Sequence, residues 1–203
     1  MDTTKIRLSP EEEALVIRAD WILTKNSVIQ KTKQLLATLQ THQHNVLRSY
    51  KDIFTEEIIN SSPKISKGEN YKGLPYLVLD YPRCFNKEDI FATRMFFWWG
   101  NFFSGILHLS GIYKKIYQQK IIHSFESLKR KGFSICINED QWEHHFETTN
   151  YLSLRTLNAY QFEEMISNKS FIKLSKKISL KEWNDAEKKL LEIFRQLINI
   201  LSH

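Results

Sequence analysis

The N-terminal part of the chain repeats apolar residues at the three-and-four spacing of amphipathic helices. The segment Ser9–Glu12 predicts a helix start, because serine caps, proline suits the first helical position and glutamate completes a capping box. We expect this first helix to run to about Lys25. A second capping box at Ser27–Gln30 predicts a long second helix, broken near residues 42–45. Residues 1–59 are therefore expected to be helical.

A change of composition follows this helical part. Residues 60–73 collect proline, glycine, serine and asparagine, which predicts a linker. Beyond it, residues 74–203 mix short apolar runs with helical stripes, as in an α+β body. Because 203 residues lie within the size range of one domain, we expect residues 1–203 to form a single domain.

Three apolar runs lie close together after the linker. Each has the length and composition of a strand: Leu74–Tyr81, Ala92–Trp99 and Phe102–Leu109. The first is expected to end at Pro82, which cannot donate to a strand ladder. Gly100-Asn101 suits a two-residue type II′ turn, so we expect a central aromatic hairpin that pairs Trp99 with Phe102. Counting outward sets Phe96 opposite Gly105.

This register decides which side chains share a face of the sheet. Arg94 is expected to share a face with Phe96, Trp98 and Phe103, and His108 is expected on the other face. Arg94 and His108 are therefore not expected to form a catalytic pair. We interpret His108 as a hydrogen-bonded histidine of the core or its rim.

The remaining elements follow from similar signals. They are a helical stripe at 112–131 that stops at Gly132, strands at 133–137 and 151–157, a short helix from Asn158 to Ile166, a lysine-guarded edge strand at 171–180, and an amphipathic C-terminal helix after a capping box at Ser179–Glu182. The predicted fold class is α+β, with a mainly antiparallel sheet that is built around the aromatic hairpin and covered by helices.

The composition indicates a globular protein but does not indicate its function. Hydrophobic residues make up 42% and charged residues 26%, which is typical of globular proteins. The most apolar stretch, residues 90–109, contains Arg94 and His108, so we expect no membrane segment. The N-terminus lacks the pattern of a secretory signal, and Cys84 and Cys136 have apolar surroundings, which indicates a reducing cytoplasm.

Aromatic residues crowd around a few charged ones between Leu74 and Gly111. In one interpretation, Asp80 neutralises Arg83 or Arg94 inside a sheet core. In the other, the arginines bind an anionic ligand and the aromatic rings stack on a planar or apolar part of it. The candidate ligand-binding residues are Asp80, Arg83, Arg94, Phe96, Trp98 and Phe103.

Two further clusters contain side chains that are typical of binding sites. Trp142–Glu147 is the densest set of potential metal ligands, but it lacks the histidine spacing of zinc-protease helices and the Glu-x-x-His of di-iron bundles. We therefore expect neither a metal nor a cofactor. The formal charge of +6 suggests an acidic partner, yet no aromatics interleave with Lys129–Lys131 or with the lysines of residues 173–189. This pattern does not favour nucleic-acid binding.

No family signature, glycine-rich phosphate loop or nucleophile elbow is recognised in these residues. Three hypotheses stay open. In the first, the chain binds a small ligand or a protein partner at the aromatic segment. In the second, it is a cofactor-independent hydrolase or transferase, and Asp80, Glu88 or His108 has a perturbed pKa in one cleft. In the third, it is a structural protein that self-associates through an exposed apolar patch, for example on the C-terminal helix.

Overall fold

An antiparallel sheet of seven strands, accompanied by seven α-helices, organises the computed structural model, which describes residues 6–202. The helices are α1 (Pro10–Val16), α2 (Ala19–Arg48), α3 (Glu56–Ile59), α4 (Gly111–His123), α5 (Phe125–Arg130), α6 (Ala159–Asn168) and α7 (Ala186–Ser202). The strands are β1 (Lys64–Tyr71), β2 (Leu74–Phe85), β3 (Ile90–Trp98), β4 (Phe102–Ser110), β5 (Ser134–Cys136), β6 (Tyr151–Ser153) and β7 (Phe171–Ser179). Their order in the sheet is β1-β2-β3-β4-β7-β5-β6. The predicted α+β class with a mainly antiparallel sheet is confirmed.

The N-terminal helices differ from the prediction in where they end. The capping box of Ser9 and Glu12 is present, but α1 stops at Val16 instead of Lys25. After a short break, α2 runs without interruption through the expected second start at 27–30 and the expected break at 42–45. Serine and glutamine are tolerated inside a helix, and the buried stripe of α2 continues to Leu47, so packing maintains the helix there.

The predicted linker contains a strand. β1 lies within residues 60–73 and pairs antiparallel with β2 from Lys64 to Tyr71. Its side chains are exposed or partly exposed, so it lacks the apolar alternation that signals a strand in sequence. Lys72 and Gly73 both have positive φ, which suits the tight turn that joins the two strands.

The first apolar strand does not end at Pro82. β2 continues to Phe85, and its pairing with β3 is irregular between Asp80 and Arg83. Proline is tolerated at such an irregular position because no ladder hydrogen bond is required of it. Arg83 resumes the ladder opposite Ala92.

The β3–β4 register differs by one residue from the predicted one. Residues 99–101 form a three-residue connection, with Gly100 at φ +71°, and Trp98 pairs with Phe102. Phe96 therefore lies opposite Ser104 and not opposite Gly105. Since a one-residue slip exchanges the faces, Arg94 and His108 lie on the same face, contrary to expectation.

The two faces of the sheet have different covers. The main core packs one face against helices, with Phe97 and Phe103 inside it. α7 approaches so closely that a Cβ on Gly105 would lie 2.5 Å from Cγ2 of Ile193. The other face carries a smaller aromatic cluster that includes Phe96, Trp98 and Phe102. Residues 137–150, which we call the covering loop, lie over this second face.

β7 lies between β4 and β5 in the sheet, so the prediction of an edge strand is wrong where β5 pairs with it. It pairs with β4 from Phe171 to Ser179 and with β5 at Leu174 and Ser175. Lys173, expected to guard an exposed edge, is buried. β1 and β6 are the outermost strands of the sheet.

The later helices follow the sequence signals closely. The capping boxes at Asn158 and Ser179 are both formed. The predicted stripe at 112–131 is divided into α4 and α5 at Ser124, and the chain from Ser179 reaches α7 through a 3-10 turn. Within residues 6–202, no helix combines the length and the apolar character needed to cross a bilayer.

Candidate functional site

Arg94 and Asp80 form a closed ion pair on the face under the covering loop. Their positions are directly opposite each other on β3 and β2. Nε and Nη2 of Arg94 donate to the two carboxylate oxygens of Asp80 at 2.7 and 3.1 Å, and Nη1 lies 3.0 Å from Nε2 of His144. The side chains are only 13% and 9% exposed. This geometry matches the core interpretation of the two residues, in which the carboxylate neutralises the arginine.

The other predicted ligand-binding residues are only partly brought together. Phe96 and Trp98 share the face of Arg94, and the Phe96 ring lies 4.9 Å from that of His144. Arg83 lies farther along β2, over the ring of Phe85, and its buried Nε has no hydrogen-bond partner among the described residues.

Phe103 does not belong to this group. It packs in the main core on the helix-covered face, where it contacts Phe97 and Trp183. Its expected position on the face of Arg94 is not found, because the β3–β4 connection has three residues and this moves every β4 side chain to the opposite face.

Lys173, on β7, also contacts His144 under the covering loop. Its Nζ donates to the carbonyl oxygens of Gln141 and Glu143, and lies 3.4 Å from Nδ1 of His144. Burial, together with the charge of Arg94, lowers the pKa of Lys173 to about 8. These contacts connect the central sheet to the backbone of the covering loop.

Two histidines complete the network in neutral form. Burial and the nearby charge of Lys173 lower the pKa of His108 to about 3, and the same two causes hold the pKa of His144 well below its usual value. Nε2 of His108 lies 2.8 Å from Oε1 of Gln141. A neutral imidazole has one N–H and one accepting nitrogen, so His108 can donate from Nε2 to Oε1 of Gln141, and His144 can accept from Arg94 or from Lys173 but not from both.

Tyr71 fastens the covering loop from the edge strand β1. Its hydroxyl accepts hydrogen bonds from the backbone N–H groups of His144 and His145 at 2.7 and 3.0 Å, and donates to the carboxylate of Glu143 at 2.8 Å. We call Tyr71, Asp80, Arg94, His108, Gln141, Glu143, His144 and Lys173 the buried network. Its hydrogen bonds are made within the protein, which is the arrangement expected of a structural anchor.

No sequence signal identified most of this network. Lys173 was expected at an exposed edge, and His144 was considered only as a metal ligand within residues 142–147. In the described part of the chain, no three His, Cys, Asp or Glu side chains come together in a way that would hold a metal ion. The dense polar run at 142–147 was the available signal, and it marks a loop that is fixed by hydrogen bonds.

A second region, which sequence reasoning missed, is an open cavity beside β7. It has a volume of about 560 Å³ and lies between the start of β5, the end of β6 and the C-terminal part of β7. Its lining includes Lys131, Arg155, Lys176 and Lys177, and we call it the basic groove. Of the described residues that line it, none is Asp or Glu. Among the described residues, five cavities of about 280 to 560 Å³ have linings that do not include Asp80, Arg83 or Arg94.

The cations of the basic groove form no close ion pairs. None of the four has a carboxylate within ion-pair distance among the described residues. Partial burial lowers the pKa of Lys176; Glu192 has the largest electrostatic effect and raises this pKa, whereas the charges of Arg155 and Lys131 lower it by smaller amounts. Lys176 therefore lies near two like charges and is only partly offset by one carboxylate outside the groove lining.

Aromatic rings form one wall of this groove. Phe146 of the covering loop stacks on Tyr151, with ring centroids 4.6 Å apart and planes inclined by 19°. Nζ of Lys177 lies 5.5 Å from the centroid of Phe146. Phe146 also contacts Phe102 of the aromatic cluster, so the groove adjoins the aromatic segment that the sequence singled out.

The chain matches no family model, no curated protein and no solved structure. Functional inference therefore depends on the geometry of its own residues.

Proposed function

We propose that the protein is a binding protein whose basic groove holds an anionic ligand that carries phosphate or carboxylate groups. The observation that carries this proposal is the convergence of Lys131, Arg155, Lys176 and Lys177 on one cavity with no carboxylate in its lining. Lysine and arginine are the side chains that proteins use to bind such anions.

The contrast with Arg94 supports a ligand over a purely structural role for the groove. The buried cation Arg94 has a carboxylate partner, and buried Lys173 donates to two backbone carbonyls. In the groove, Lys176 is partly buried, is attracted by Glu192 and repelled by Arg155 and Lys131, and forms no ion pair within the described residues. An anion bound between these side chains would offset their repulsion, and its binding would be stronger because the site is partly shielded from water.

Neutral groups around the cations suit the same ligand. The hydroxyl-bearing residues Ser134, Thr148 and Thr156 also line the groove and offer hydrogen-bond donors to anionic oxygens. The predicted site at Asp80 and Arg94 is not part of this proposal, because that pair is closed on itself. The free and buried cysteines Cys84 and Cys136 support the expected cytoplasm as its compartment.

Calorimetric titration with pyrophosphate at low ionic strength tests the proposal. We expect binding to weaken at least about tenfold in the double variant Arg155→Met, Lys176→Met, because two charged contacts are lost. The matched control is Lys115→Met, Lys188→Met, which removes the same charge at exposed positions outside the groove. An equal loss in both variants would mean that pyrophosphate responds only to net charge, and the proposal would fail.

A further inference from the structure

The basic groove lies along a part of β7 that has no outer neighbour. β4 pairs with β7 along the whole strand, but β5 covers only Leu174 and Ser175. From Lys176 to Ile178, no described strand pairs with the outer edge of β7. An open strand edge presents backbone N–H and C=O groups that can pair with another extended chain.

Cavities lie beside this open edge of β7 towards both faces of the sheet. A second cavity, of about 280 Å³, is lined by Lys176, Lys177 and Ile178 and by residues of α7. It shares Lys176 and Lys177 with the basic groove. The combined space therefore runs beside the edge from Arg155 towards α7. An extended segment fits a space of this form better than a compact ion does.

The cations at the edge alternate between the two faces of the sheet. Lys176 lies opposite Gly105, on the helix-covered side, and Lys177 lies opposite Ser104, on the side of the covering loop. An added strand would likewise point successive side chains to opposite faces. Acidic residues at two consecutive positions would then each meet a lysine across the strand pair.

The charges around the open edge differ between its two ends, which would favour one orientation of an added acidic strand. The basic groove has Lys131 and Arg155 at its far end, whereas the second cavity is lined by Glu182 and Glu192 beside Lys189. The ion pair of Glu182 with Lys189 leaves little positive charge on that side. Acidic residues are therefore favoured at the end near Arg155.

From these observations we infer that the anionic ligand of the basic groove is an acidic peptide segment, which adds in extended form to the open edge of β7 from Lys176 to Ile178. This inference rests on the proposed function and makes it more specific. Lysines on an edge also discourage unwanted strand pairing, so the experiment must separate backbone pairing from simple charge attraction.

Fluorescence titration with labelled tetraglutamate makes that separation. A second tetraglutamate, N-methylated at its two central residues, keeps the charge but cannot donate ladder hydrogen bonds from those residues. Only one of two adjacent residues in a strand points its N–H towards β7, so we expect the methylated peptide to bind about fivefold more weakly, as the loss of one hydrogen bond of about 1 kcal/mol would produce. Only the unmodified peptide should slow hydrogen exchange at those amides of residues 176–178 that face away from β4 in the full chain. Its binding should weaken in Lys176→Met, Lys177→Met and persist in Lys115→Met, Lys188→Met.

The outcomes distinguish this inference from the function on which it rests. Equal binding of both peptides, or tighter binding of an oligothymidylate than of tetraglutamate, would overturn strand addition. Pyrophosphate binding without any peptide binding would overturn it as well and leave the proposed function standing. If neither pyrophosphate nor peptide binds, both are wrong.

Discussion

The buried network and the basic groove both gather cations on the same sheet, but only the first gives each cation a close hydrogen-bond partner. Arg94 meets a carboxylate, and Lys173 donates to two backbone carbonyls. Lys176 and Lys177 form no ion pair within the described residues and lie near aromatic rings and other cations. A charged side chain needs a hydrogen-bond or ion-pair partner where water is excluded, because burial of an unpaired charge strongly lowers the free energy of unfolding. A cation that stays accessible can keep its charge for a ligand.

One segment serves both regions. His144 of the covering loop belongs to the buried network, and Phe146 and Thr148 of the same loop line the basic groove. The network therefore holds one wall of the groove in place. We expect changes in the network to alter folding stability, and changes in the groove to alter binding.

The largest effect is expected from Asp80→Asn, which leaves Arg94 buried without its counter-charge. Loss of one partner of a buried pair costs about 4 kcal/mol of unfolding free energy. Urea denaturation followed by tryptophan fluorescence measures this loss. The matched control is Asp20→Asn in the exposed Arg18–Asp20 pair, for which we expect no measurable change. Equal unfolding midpoints for Asp80→Asn and the unmodified protein would show that the network is not a stabilising anchor.

A second effect depends on pH and involves Lys173. Its pKa of about 8 in the folded protein lies below the ordinary value of 10.5, so the unfolded chain binds more protons between these values. Stability contributed by this lysine therefore rises with pH across that interval and is level below it. We expect the unmodified protein to gain on the order of 3 kcal/mol relative to Lys173→Met between pH 8 and 10.5.

Urea denaturation of both proteins at a series of pH values measures this difference. The tyrosines and cysteines that also titrate in alkaline solution are common to both proteins, so their contributions largely cancel. A difference that does not change between pH 8 and 10.5 would contradict the assigned burial of Lys173.

The smallest effect on stability is expected in the groove. Lys176→Met removes a partly buried charge together with its attraction to Glu192 and its repulsion from Arg155 and Lys131. These effects oppose each other, so the free energy of unfolding should change by no more than about 0.5 kcal/mol. Urea denaturation beside Asp80→Asn shows the contrast directly. A loss comparable to that of Asp80→Asn would mean that Lys176 supports the fold, and the division between the two regions would be lost.

The sequence predicted those helices and strands that depend on neighbouring residues, such as a capping side chain or an apolar run. Ser9 and Asn158 cap helices as expected, and the apolar runs at 92–99 and 102–109 correspond to central strands. β1 could not be found in this way, since its pairing with β2 comes from backbone hydrogen bonds and involves little burial.

The candidate site was harder to predict because it depends on register and on contacts between distant segments. The conformation of Gly100 decides between a two-residue and a three-residue connection, and its sequence context permitted both. Lys173 and His144 are 29 residues apart and meet only in the folded chain. The cations of the basic groove likewise come from three separate segments, with Lys131 before β5, Arg155 after β6 and Lys176 in β7.

The number of residues in the connection at 99–101 determines which side chains of β3 and β4 share a face of the sheet. With strand side chains alternating, an odd connection sets Arg94 and His108 on one side of the sheet, and an even one would separate them. The length of this loop is therefore coupled to the buried network, although the loop itself lies outside it. Deletion of Gly100 would leave two residues between the strands and set Arg94 and His108 on opposite faces, so a change in a surface turn would alter the interior.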